Sequence, residues 1–131
     1  MSVRIYSSKH CVSESLFTEN AIIANGSNNE MHIYSGGVAK NTEVNYAGYV
    51  AVLGGTASGT IISNGSMTIT SNGKSEKTKI SAGKIDIYNG GSANNTEVSY
   101  LGSIMIHSGG IANETVLSNG GLCKLAAVGW Q

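Results

Sequence analysis

The sequence predicts an all-β fold: a single-stranded parallel β-solenoid, either a β-helix or a flattened β-roll, of about five 18-residue coils with a cap at each end. Three observations carry this expectation: five copies of one unit, matching residue types at matching positions, and a composition suited to short strands and tight turns. The 131 residues hold 18 Gly, no Pro, one Phe and one Trp, with 40% apolar and 12% charged content. That is enough apolar material for one domain, but too few bulky side chains for a conventional core.

Residues 1–29 are expected to form an N-terminal cap and half coil. Ile22-Ile23-Ala24-Asn25-Gly26 matches Ile61-Ile62-Ser63-Asn64-Gly65, and a short insertion follows at Ser27-Asn28-Asn29. Residues 30–121 carry the repeat as SGGVAKNTEVNYAG, LGGTASGTIISNG, SNGKSEKTKISAG, NGGSANNTEVSYLG and SGGIANETVLSNG. Thr42, Thr60, Thr78, Thr96 and Thr115 fall 18, 18, 18 and 19 residues apart, and Gly37, Gly55, Gly73, Gly91 and Gly110 keep the same rhythm. The single extra residue lies in Ser99-Tyr100-Leu101-Gly102, where a bulge in the turn would absorb it without reversing the faces of either strand.

Two residues beyond each threonine stands an aliphatic: Val44, Ile62, Ile80, Val98 or Leu117. Upstream of each glycine are pairs two apart, Met31/Ile33, Tyr49/Ala51, Met67/Ile69, Ile85/Ile87 and Ile104/Ile106. Each unit therefore holds two alternating strands, and the room for two strands and two turns favours a flattened coil over a three-sided one. Ala39, Ala57, Ser75, Ala93 and Ala112 would line the opposite interior edge with the threonine and aliphatic columns. Stacked threonine hydroxyls would pass hydrogen bonds from coil to coil or to turn backbone. The Asn-Gly pairs would also suit hairpins, but an antiparallel meander does not demand identical columns at a fixed period, whereas stacked coils do. In residues 122–131, Leu122-Cys123-Lys124-Leu125 opens a partial sixth coil that runs into an apolar C-terminal cap.

Eight basic residues balance eight acidic ones, so the footprint of a nucleic-acid binder or a polybasic membrane binder is missing. No apolar run is long enough to span a bilayer, so no membrane insertion of this segment is expected. The opening MSVRIYSSKHC has no signal-peptide core. The chain is thus expected to be cytoplasmic if complete, and secreted or on the bacterial surface if part of a longer exported protein. Cys11 and Cys123 lie too far apart along the stack for a disulfide and read as free thiols.

No catalytic, cofactor-binding or metal site is expected, and the chain is not expected to be an enzyme. A calcium roll needs an aspartate in each turn, and the one aspartate is Asp86, on a strand. His32 and His107 occupy different columns four coils apart and read as exposed strand histidines. A carbohydrate-cleaving groove needs clustered acids, bases and arginines, yet Arg4 is the one arginine. Glu43, Lys79 and Glu97 share an outward column, with a weak contact expected between Lys79 and Glu97 and a further approach of Glu97 to Asp86. Gly-Gly turns without a following helix are not a phosphate cradle; freedom at positive φ accounts for them.

The outward column Asn45, Ser63, Ser81, Ser99 and Ser118 is a hydroxyl-rich ladder at constant pitch, a candidate surface for a regular partner or for accepting sugars. Tyr34 and Tyr88 share one column and Tyr46 and Tyr100 another, each pair three coils apart and too distant for a single sugar-stacking platform.

The signature SGGxAxxTxVxxxG, carried at Ser35–Gly48, Asn89–Gly102 and Ser108–Gly120, resembles the AIDA-repeat family of autotransporter passenger stalks and autoaggregation proteins. The resemblance covers residues 30–121. It implies a parallel β-helical stalk on the outer surface of a Gram-negative cell, acting by adhesion or self-association, with serine-linked heptose in some members. The chain departs from the pattern in having cysteines, no signal peptide and no translocator barrel. The expected function is a non-enzymatic adhesive module that self-associates or binds a host or bacterial surface receptor, possible glycans included. The alternatives are a glycan-binding or polysaccharide-acting β-helix and a passive spacer.

Overall fold

The computed structural model describes residues 30–45 and 48–125, together with the backbone strands at 4–6, 9–12, 17–19 and 21–23. The expected insertion at 27–29, Tyr46 with Ala47, and the apolar segment 126–131 lie outside the described residues. β1 (Arg4–Tyr6) precedes a coil of β2 (Lys9–Val12), β3 (Phe17–Glu19) and β4 (Ala21–Ile23). The next two coils are β5 (Glu30–Tyr34), β6 (Val38–Lys40) and β7 (Glu43–Val44), then β8 (Tyr49–Leu53), β9 (Thr56–Ser58) and β10 (Ile61–Ser63). β11 (Ser66–Thr70), β12 (Lys74–Glu76) and β13 (Lys79–Ser81) follow, then β14 (Lys84–Ile87), β15 (Ser92–Asn94) and β16 (Glu97–Ser99). β17 (Ser103–Ile106), β18 (Ile111–Asn113) and β19 (Val116–Leu117) make the last full coil, and β20 (Leu122–Leu125) begins another.

Every third strand pairs in parallel, giving three sheets: β1-β4-β7-β10-β13-β16-β19, β2-β5-β8-β11-β14-β17-β20, and β18-β15-β12-β9-β6-β3. The chain is therefore a parallel β-solenoid, as the repeats predict, but its coil has three sides and not the two favoured from coil length. The reason is a sharp corner inside each repeat. The residue before each column threonine, Asn41, Gly59, Lys77, Asn95 or Glu114, has a φ between 54° and 72°. One left-handed residue turns the chain without a loop, so three strands of two to five residues fit where two longer ones were expected.

The second sheet points Met31/Ile33, Val50/Val52, Met67/Ile69, Ile85/Ile87 and Ile104 inward, all at 0 or 1% exposure. The inward pair of β8 is thus Val50/Val52, one residue off the expected Tyr49/Ala51, since Met31 pairs with Val50 and Val50 with Met67. The turn Asn45–Gly48 is one residue longer than Ser63–Ser66 allows, and Leu53–Thr56 is one shorter than Thr70–Lys74, so the threonine period of 18 hides the shift. Ala39, Ala57, Ser75 and Ala93 line the third sheet, and Val44, Ile62, Ile80 and Val98 the first. Small residues on one side let the wide Met/Ile side close the thin core, and each fully buried isoleucine contributes about 1.5–3 kcal/mol. The extra residue at Ser99–Gly102 forms a tight turn, not a bulge: Gly102 N–H donates to Ser99 O (2.9 Å), with φ of 49° at Tyr100 and 65° at Leu101.

Candidate functional site

The outward faces hold the candidate interaction residues. Ser63, Ser81 and Ser99 are register partners on the first sheet, which puts their Cα atoms one coil step, about 4.8 Å, apart. Asn45 and Ser118 continue the ladder just beyond β7 and β19. Ser63 and Ser118 are exposed, whereas Asn45, Ser81 and Ser99 are half-buried, and the Ser99 hydroxyl donates to Ile80 O at 3.3 Å. The ladder is real as a column, but its members differ in access.

The structural columns are placed differently from their expected roles in two respects. Thr42, Thr60, Thr78 and Thr96 are at most 2% exposed, at the corner between the third and first sheets. Their hydroxyls, and those of Thr115 and Ser75, meet no hydrogen-bond partner, so the expected coil-to-coil chain is not formed. Equivalent atoms in stacked coils repeat at about 4.8 Å, beyond hydrogen-bond reach. Glycines 37, 55, 73, 91 and 110 are not at positive φ; that conformation belongs to the residue before, as at Gly90 (87°) and Asn72 (69°). The column glycine is fixed by close approach: a Cβ on Gly73 would lie 2.6 Å from Val52 O.

Two polar clusters sit on the second sheet. His32 contacts a Glu30 carboxylate oxygen at 2.5 Å and lies edge-on to Tyr49, ring centroids 6.3 Å apart. His107 contacts Asp86 Oδ1 at 3.2 Å and stacks on Tyr88, centroids 4.1 Å apart and planes within 10°. Lys84 Nζ lies 3.7 Å from the other Asp86 oxygen. The histidines are in separate columns as expected, yet each is engaged and neither is a bare exposed ring. Asp86 and Glu97 stand on different sheets, and Asp86 is engaged instead by His107 and Lys84. Lys79 and Glu97 are register partners without an ion pair within 4 Å; with Lys77 and Asn95 they line a pocket of about 270 Å³. The stacked Tyr88–His107 pair was missed because its spacing is 19, not 18, owing to the extra residue at Ser99–Gly102.

Cys123 is a free, exposed thiol, and its strand β20 lies at the opposite edge of the second sheet from β2, which carries Cys11. Six strand spacings of about 4.8 Å separate their backbones by about 29 Å, well beyond disulfide reach. Among the described residues, no helix is long and apolar enough to cross a membrane, and no three His, Cys, Asp or Glu side chains gather where a metal ion could sit.

A structural likeness joins this geometry. A crystallised TibA55-350 fragment, hyper-glycosylated by TibC, superposes with a TM-score of 0.54 at 20% identity, over 95% of this chain and 80% of that one. The two share the parallel β-solenoid fold. Neither a protein-family model nor a curated protein matches the chain.

Proposed function

We propose that this chain is a non-enzymatic adhesive module of the stalk type named by its AIDA-like repeats, presented on a bacterial surface or secreted, and acting through its lateral faces. The observation that carries the reading is the continuity of three parallel sheets whose outer columns repeat at one pitch. Such faces are self-complementary along the axis, so a second copy or a surface receptor meets the same groups coil after coil. The third sheet supports this, since its outer residues in β9, β12 and β15 are Thr56/Ser58, Lys74/Glu76 and Ser92/Asn94, short or oppositely charged side chains that permit close approach. The TibA likeness supports the solenoid fold on which this reading rests.

Beads coated with the chain should clump in suspension and settle faster than beads coated with an unrelated β protein. Equal settling, together with no binding to bacterial or host cells, would leave only a passive spacer. Incubation with a panel of neutral and acidic polysaccharides should release no reducing ends, and release would revive the enzyme reading. A second reading follows from the glycosylated state of the TibA fragment: the serine ladder accepts sugars. Ser63 is the accessible ladder member within the paired strands, so transfer there should precede transfer to the recessed Ser81 and Ser99.

A further inference from the structure

The corner between the first and second sheets is not uniform along the stack. Ser99–Gly102 and Ser118–Gly121 are four-residue turns, each closed by a 2.9 Å hydrogen bond, and Gly48 N–H closes Asn45–Gly48 in the same way. The two coils between Asn45–Gly48 and Ser99–Gly102 turn through Asn64-Gly65 and Ala82-Gly83 alone, one residue shorter each. A recess of about 390 Å³ results, with Asn64, Ser66, Lys84 and Ser103 among its lining and Leu101 as an apolar wall.

The wall is held against local preference. Tyr100 and Leu101 both occupy left-handed φ, the conformation for which such a turn selects Asn-Gly. The next coil uses Asn119-Gly120 at the same two positions, with φ of 47° and 86°. In place of those residues the fourth coil presents Tyr100 at 62% and Leu101 at 81% exposure. Backbone strain combined with exposed apolar surface at the rim of a recess is the pattern of a binding site.

We propose that this recess binds a saccharide of one or two rings that carries a carboxylate. The recess is shallow and open to solvent, so a bound ring would be covered on one face and reach water on the other. The lining offers an amide, two hydroxyls and an ammonium, with an aliphatic wall for the apolar face of a ring. Lys84 is 62% exposed, and its contact with Asp86 is replaceable, because Asp86 keeps His107 as a partner. An extended peptide is disfavoured: Asn64 N–H and Ala82 N–H already donate to Ser81 O and Ser99 O of the following coils, so no strand edge is open for backbone pairing.

The site is separate from lateral self-association, and its test reads separately. Digalacturonate, titrated by NMR, should shift the amides of residues 64–66, 82–84 and 101–103, and its dimethyl ester should bind about two- to fivefold more weakly, consistent with loss of one exposed charged contact. Lys84→Gln should remove that difference. Tyr100→Asn/Leu101→Gly, which copies the next coil, should abolish binding yet raise Tm by about 3–6 °C, leaving sedimentation unchanged. No shift with digalacturonate, equal affinity for the ester, or a double variant that binds unchanged would overturn the proposal. A double variant that is less stable would overturn the strain argument beneath it.

Discussion

At the scale of single residues, the threonine column shows that a regular polar residue need not be there for its polarity. Thr78 is fully buried and its hydroxyl has no partner, so what the column supplies is a β-branched shape that fits a strand end beside a corner. An unpartnered buried hydroxyl costs about 1–3 kcal/mol, and an apolar group of the same shape removes that cost. Thr78→Val is therefore expected to leave stability unchanged or raise it by up to about 2 kcal/mol in thermal unfolding, whereas a hydroxyl ladder would make it destabilising. Lys77, next to it, sits at a φ of 57° where three of the other coils have Asn or Gly and the last has Glu114. Lys77→Asn should stabilise by a few tenths to about 1 kcal/mol, measured as a shift of the urea midpoint with an unchanged slope, because Asn tolerates the left-handed region better.

Among elements, the strands were legible where periodicity was strict and obscured where it was not. The parallel stacking and the Ala39/Ala57/Ser75/Ala93 and Val44/Ile62/Ile80/Val98 columns follow from period-18 spacing, since a slip of one residue would turn the small and aliphatic columns outward. The third side was not legible, because its corner is a single residue whose identity varies from Asn and Gly to Lys and Glu, so no Gly/Asn signal persists. The Tyr49/Ala51 pairing failed because two compensating length changes flank β8 and leave the threonine spacing untouched. At the candidate site the serine ladder was legible as a column; the His107–Tyr88 stack and the corner recess were not, because both arise where coil lengths differ. The inward residues of β11 and β19 give an element-level test. Ile69→Ala should cost about 2–5 kcal/mol, while Leu117→Ala, at a position already 45% exposed, should cost under about 1 kcal/mol by thermal or urea unfolding.

For the whole molecule, each coil touches only its neighbours, so stability is a sum along the axis and not the property of one central core. Ile111, Val116, Leu117 and Leu122 are each about half exposed, while the inward residues of β8 to β16 are closed from solvent. Amide exchange should therefore be slowest in β8 to β16 and fastest in β18 to β20, and a uniform rate along the stack would contradict this additive picture. The same one-dimensional regularity gives three lateral faces with few charges and a constant pitch, the basis of the adhesive reading. The most direct test is sedimentation of the chain over a concentration series with its thiols kept reduced. The account predicts oligomers whose size grows with concentration; a strict monomer at every concentration would contradict self-association as the function of these faces.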